Sequence, residues 1–244
     1  MPANRWAIGL FICPFVVGSS VLFVAAARTV ARSDDRSRLD GWQLAWSDEF
    51  DYEGLPDKSK WDYEEGFIRN HELQYYTRAR QENARVEGGS LMIEARKEKF
   101  QNPKYNPTAK GRNWKNQREL AEYTSASLVT KGKASWTYGR FEIRAKLPTG
   151  RGTWPAIWTL GTSFDKISWP ACGEIDIMEN VGFDPDVIHF NVHTMKYNHV
   201  NNTNKGSKTT IPKPYTDFHV YVLEWYPDRL DWFVDDKKYF TFRN

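Results

Sequence analysis

From residue 41 onward the sequence breaks into short runs in which apolar and polar residues alternate or aromatic and β-branched residues cluster. Runs of this kind fall at 42–46, 90–95, 125–130, 141–147, 187–194, 218–226 and 230–235. Turn signals separate them: Glu87-Gly88-Gly89, Lys131-Gly132-Lys133, Pro148-Thr149-Gly150 and Val234-Asp235-Asp236. No window sustains a 3.6-residue apolar period between two helix caps, whereas the period of two recurs. The pattern predicts an all-β chain, an antiparallel sandwich or barrel. The segment 231–242 reads as a hairpin around an Asp-Asp turn.

The chain has 244 residues, 40% of them hydrophobic and 27% charged, enough for one globular domain with a large core, or at most two small ones. Neither an internal repeat nor a composition break appears after residue 41. Aromatics are abundant, with 11 Trp, 12 Tyr and 14 Phe; such an excess serves either stacking surfaces or the cores of β-sheets. The net charge of +3 implies no strong field. The densest basic stretch, 101–118, carries five Lys/Arg and no acid, but its Pro, Asn and Gly residues read as a solvated loop, and no nucleic-acid partner is expected.

The N-terminus is a separate object. Ala7 to Ala27 carries no charge and ends in Ala25-Ala26-Ala27, a small-residue stretch that suits cleavage of an export signal. Its 21 residues are also long enough for an uncleaved membrane anchor. The expected organisation is therefore a signal peptide or anchor at 1–27, a polar linker at 28–40, and a single domain at 41–244. On either reading the domain lies outside the cytoplasm, secreted or membrane-attached. If Cys13 leaves with a signal, Cys172 stands alone and no intrachain disulfide forms; with no thiol-enzyme motif nearby, it reads as a small packed residue.

Residues 173–180 read GEIDIMEN. In a regular strand Glu174 and Asp176 share one face and Glu179 takes the other. A β-bulge at Ile177–Met178 shifts the alternation by one and returns Glu179 to the face of the first two acids. Like charges side by side are unfavourable, so nothing structural asks for this. Glycoside hydrolysis does: a retaining enzyme uses two carboxyl groups roughly 5–5.5 Å apart, one as nucleophile and one as acid/base. A third acid between them couples their titration. The plainer alternative is the solvent face of an amphipathic strand. Trp154 and Trp158, four residues apart, share a face if extended, and Trp169 shortly precedes the acids; all three are stacking platforms or core filler. His193, on a later run, reads as a donor to a hydroxyl or carboxylate or as a satisfied core residue. Metal-ligand spacings of the HExxH, CxxC or EF-hand kind are absent, as are phosphate-binding Gly-rich loops and G-x-S-x-G.

These residues carry a resemblance. The segments WSDEFD (46–51), ELQYYT (72–77), 124–161 and WPACGEIDIMENVG (169–182) resemble glycoside hydrolase family 16, of the bacterial endo-β-1,3-glucanase (laminarinase) type, and the likeness extends from Trp42 to Asn244. It implies a β-jelly-roll sandwich with a concave cleft and a retaining endo-hydrolase that needs no cofactor for catalysis. Its partner would be a β-glucan; a monomer is the default expectation, set by no residue of the sequence. By position Glu174 matches the nucleophile, Glu179 the acid/base and Asp176 the helper between them. Trp154 and Trp158 match cleft tryptophans, while Asn70, Arg140, Trp169 and His193 resemble cleft-lining positions. Glu49 and the carbonyl of Gly89 resemble two ligands of a structural calcium on the convex side. His71 stands where the family has a second Asn. Relatives continue past the equivalent of Asn244, so the domain is expected to lack C-terminal strands. The resemblance leaves two other functions open: a non-catalytic glucan-binding protein or inactive fragment, and a hydrolase of mixed-linkage β-1,3-1,4-glucan.

Overall fold

The computed structural model describes residues 6–14, 21–26 and 41–243, with side chains from residue 41 onward except Arg112. The expected linker, 28–40, lies outside the described residues, as does the rest of the N-terminal segment. Sixteen strands are described, numbered along the chain. They are β1 (Trp6–Pro14), β2 (Val21–Ala26), β3 (Asp62–Tyr63), β4 (Gln74–Tyr76), β5 (Ala84–Glu87), β6 (Ser90–Gln101), β7 (Leu120–Ser125) and β8 (Ser127–Val129). There follow β9 (Gly139–Lys146), β10 (Thr153–Gly161), β11 (Glu174–Val181), β12 (Asp184–His193), β13 (Lys205–Thr210), β14 (His219–Trp225), β15 (Arg229–Val234) and β16 (Lys237–Arg243). Helical structure among the described residues is one short α-turn at Phe164–Ile167 and 3₁₀ turns at Gly111–Asn116 and His199–Asn201.

Two sheets form the sandwich. One has the order β13-β12-β11-β10-β1-β8-β3; the other runs β16-β15-β14-β9-β2-β6-β7-β4, with β5 paired to β6. The fold is the all-β jelly-roll sandwich expected from the alternating runs. Between the sheets lies one core, to which the first contributes Leu128, Ile157, Ile175, Ile177, Met178, Ile188 and Phe190. Leu91, Ile93, Phe141, Tyr221, Leu223, Trp232 and Val234 come from the second. Each such side chain contributes about 1.5–3 kcal/mol when buried, so a one-residue slip of any strand would be costly.

The apolar N-terminal run supplies β1, between β8 and β10, and β2, between β6 and β9. No helix among the described residues is long and apolar enough to cross a membrane. The run at 42–46 is not a strand; Trp46 instead packs edge-on against Trp61 and Trp136, with ring centroids 5.6 and 5.5 Å apart. Aromatic alternation there serves packing rather than a ladder. The hairpin at the end of the sequence forms as expected, with Asp235 and Asp236 at φ 49° and 66°. Two positive φ values match the twist of a tight hairpin. Asp235 is held in place by accepting the Val220 N–H at 2.9 Å.

Candidate active site

The acidic strand β11 lies between β10 and β12, and its register shows how three acids reach one face. Trp158 faces Asp176 and Ile157 faces Met178, so Ile177 is the extra residue of a bulge. Ile177 and Met178 are consecutive, yet both are wholly buried in the core. Beyond them Glu179 returns to the side of Glu174 and Asp176. Three rows result across the sheet: Leu160–Glu174–His193, Trp158–Asp176–Asn191, and Ala156–Glu179–His189–Lys208. The face lines an open cleft of about 2550 Å³, whose walls include Trp154, Trp158, Trp169, Asn70 and His199.

Each acid has a different environment. Glu179 accepts from Trp154 Nε1 and from Asn191 Nδ2, both at 3.0 Å. The Asn191 amide is itself oriented by Asn204, whose Nδ2 donates to Oδ1 at 3.2 Å. Room for it comes from Gly206, where a Cβ would lie 2.3 Å from Asn191 Oδ1. Asp176 is buried, and its Oδ2 lies 3.4 Å from His193 Nε2, with Glu174 Oε1 at 3.9 Å from the same nitrogen.

Burial pushes the Glu174 carboxyl well above the usual range; the Asp176 charge adds to the rise, and His193 opposes it. Asp176 is likewise raised, by burial first and then by the Glu179 charge. Two adjacent buried acids cannot both ionise cheaply, so the pair keeps a proton to higher pH than isolated carboxylates would.

Trp169 stacks on His199 with centroids 4.9 Å apart, and His199 meets His193 edge-on at 5.1 Å. Trp158 faces the Arg69 guanidinium at 5.6 Å, and Arg69 in turn pairs with Glu64. Asn70 and His71 both adopt positive φ, 51° and 53°. That strained turn is braced by Arg118, which donates to the carbonyls of Glu72 and His71, and by Trp114 stacked on His71 at 4.2 Å. Glu72 beside it is pushed up to about 7 by burial.

Cys172 is a buried free thiol, raised to about 11 by burial and by the Glu174 charge; a thiol so held is packing, not a nucleophile. Arg140 is not a cleft residue. It lies on β9 in the opposite sheet and pairs with Glu142 at 3.0 Å and Glu224 at 2.7 Å. The resemblance assigns Arg140 by its position in the sequence, and its ion pairs hold it on the other sheet.

Glu49 and Gly89, the positions the resemblance assigns to a calcium, are not among the residues that line the cleft. The acid at the Gly88–Gly89 turn is Glu53, which accepts the Gly88 N–H at 3.1 Å. Among the described residues, the one group of three His, Cys, Asp or Glu donors close enough to hold an ion is Glu174, Asp176 and His193, within 4.8 Å of one another. Those are the acidic face itself, and calcium favours a larger, all-oxygen shell.

The sequence pattern known as glycosyl hydrolases family 16 matches residues 71–244. The chain belongs to that family. It is 52% identical over 238 residues to a β-glucanase of Rhodothermus marinus, covering 96% of this chain and 74% of the relative. The structure of the Rhodothermus marinus laminarinase superposes with a TM-score of 0.73 at 56% identity, over 83% of this chain and 75% of that one. The catalytic domain of a Thermotoga petrophila laminarinase gives a TM-score of 0.71 at 38% identity, over 83% and 77% of the two chains.

Within this family 16 fold, sequence reasoning passed over Asn191, His199, Arg69 and Glu72. Asn191 sits in Phe190-Asn191-Val192-His193, where alternation puts it on the face of His193 and away from the core residues Phe190 and Val192; that was the available signal. For the other three there was none, since contacts between loops carry no period.

Proposed function

We propose that this chain cleaves β-1,3-glucosidic bonds within β-glucan chains by double displacement, with retention of configuration. The observation that supports it best is the bulged strand, which aims Glu174, Asp176 and Glu179 into one long open cleft. Glu174 attacks the anomeric carbon while Glu179 protonates the departing glycosidic oxygen. Water, deprotonated by Glu179, then displaces Glu174 from the glycosyl ester. Asp176, between them, shares a proton with Glu174 and couples the two titrations. His193 lies against both of these acids. Trp154, Trp158 and Trp169 supply flat faces for pyranose rings, which present C–H surfaces to aromatic side chains. The names of the Rhodothermus and Thermotoga relatives, β-glucanase and laminarinase, support the choice of substrate.

The deciding experiment measures reducing ends released from laminarin, with lichenan as the mixed-linkage control. The expected result is release from laminarin, with a β-configured first product, and loss of most activity in Glu174→Ala and Glu179→Gln. Normal turnover in either variant overturns the assignment. Laminarin binding without release would make the chain a glucan-binding protein instead.

We further infer that the protein works outside the cytoplasm, on the support of the uncharged run Ala7–Ala27 and its Ala triplet. Cleavage after Ala27 would remove the segments that form β1 and β2, so the mature protein has either the cleaved terminus or those strands. N-terminal sequencing of protein from the culture medium decides between them, and retention of all activity inside the cell overturns export.

A further inference from the structure

Trp42, Tyr138, Trp225 and Tyr226 gather at one end of the sheet opposite the acids, where β14 ends and β9 and β15 begin. None of the four lines the cleft. Tyr138 meets Trp225 edge-on with ring centroids 5.4 Å apart, and Trp42 meets Tyr226 at 5.9 Å. Trp225 rests against the core, whereas Tyr138 is 43% exposed. The Tyr138 backbone sits at φ 68°, a region that bulky side chains rarely adopt. Gly139, opposite Trp225 in register, puts no side chain over the rings, and a Cβ there would meet nothing within 4 Å. A strained backbone that presents an aromatic ring to water marks a contact surface rather than packing.

The rim of this patch is polar and fixed. The Arg229 guanidinium lies 3.9 Å from the centroid of the Tyr226 ring, and the Tyr226 hydroxyl donates to Glu224 Oε2 at 2.9 Å. Glu224 Oε1 accepts from Arg140 at 2.7 Å. Both arginines are already neutralised within the chain, Arg140 by Glu142 and Glu224, and Arg229 by Asp228 and Asp231. A phosphate backbone or an acidic headgroup would have to compete with those carboxylates for every contact. The charge pattern therefore suits a neutral ligand. Flat rings edged by oriented donors and acceptors match a pyranose chain, which has C–H faces and a rim of hydroxyls.

We propose that this aromatic patch is a second glucan-binding surface, separate from the cleft, which holds polymer to the protein by stacking on Tyr138 and Trp42. Glu224, Arg140 and Arg229 would meet the hydroxyls. The identity of the ligand rests on the reading of the cleft as a β-glucan hydrolase; the surface itself does not. A second contact to the same polymer makes entry of a chain into the cleft an intramolecular event and raises its effective concentration there. The gain is confined to long or insoluble glucan, since an oligosaccharide that fits within the cleft cannot bridge to the other sheet.

The test compares wild type, Tyr138→Asn and Trp42→Ala on insoluble β-1,3-glucan particles and on laminarihexaose. Asn removes the ring while tolerating the positive φ, so the turn is kept. Binding to the particles, read from the protein left in solution, is expected to weaken about three- to tenfold in each variant, the order of one lost ring contact. Hydrolysis of the particles should fall with it, while kcat/KM on laminarihexaose stays near wild type, which also shows that the variants fold. Unchanged particle binding, or equal falls on both substrates, overturns the surface. So does light scattering that finds a wild-type dimer and a Tyr138→Asn monomer, for the patch is then a contact between two copies of the chain. A wild-type protein that hydrolyses neither substrate overturns the hydrolase reading alone; the comparison of particle binding then still decides the surface.

Discussion

Trp232 reaches across the core from β15 and donates its indole N–H to the backbone carbonyl of Asp176 at 2.9 Å. A bulge interrupts the ladder and leaves backbone groups to be satisfied elsewhere. Here the opposite sheet supplies the partner, so the placement of the acids depends on a residue that never meets the cleft. Trp232→Phe keeps most of the volume and leaves the carbonyl unpaired, a change of about 1–3 kcal/mol. The expected outcome is a lower melting temperature together with a lower kcat at temperatures where the variant is folded. Reduced stability with unchanged kcat would show that the bulge holds without this contact.

The shared proton of Glu174 and Asp176 sets the acidic limb of activity. Attack requires Glu174 ionised, and its carboxyl is raised by burial and by the Asp176 charge. Activity should therefore be lost as pH falls through a value above the ordinary carboxylate range. Asp176→Asn removes the charge, so Glu174 ionises at lower pH and the acidic limb of kcat/KM moves down, while the maximal rate falls. A pH–rate profile on laminarin checks both; a limb that stays or moves up would refute the coupling.

Asn191 acts on the reaction through Glu179. Asn191→Ala removes a donor 3.0 Å from Glu179 Oε2 and should lower kcat by about tenfold or more, with KM nearly unchanged, as expected for loss of orientation at a reacting group. Asn204→Ala, one contact further out, should show the same pattern more weakly. Loss confined to KM would make Asn191 a substrate contact instead.

Glu72 makes folding pH-dependent. Burial raises its carboxyl from 4.5 to about 7, while Arg69 and Lys115 pull it down and Glu64 adds to the rise. The folded state then binds a proton that the unfolded chain releases, so this group's contribution is full below pH 4.5 and is lost as pH rises toward 7. Thermal melts of wild type and Glu72→Gln should show wild type losing ground to the variant between pH 5 and pH 8. Parallel curves would show that Glu72 ionises normally.

The sequence disclosed the sandwich because alternation is a local signal, and the acidic strand because a repeated charge on one face is costly unless used. The bulge was legible from parity alone: Glu179 had to change face to join the other two acids. Arg140, placed in the cleft by resemblance alone, lies instead on the opposite sheet, paired with Glu142 and Glu224. The run at 42–46 misled because aromatic packing mimics a strand pattern. Trp232 and His199 reach the site through contacts far apart in sequence, which no spacing encodes. The apolar N-terminal run satisfied two patterns at once, since residues that suit a bilayer also suit an interior strand.

The bulge has a bearing on ancestry. Without its extra residue, plain alternation would carry acids at the first, third and fifth places of the strand, still three on one side. The present arrangement is thus one inserted codon away from an unkinked version with the same three acids, and a lineage could cross between the two without passing through a form that lacks them.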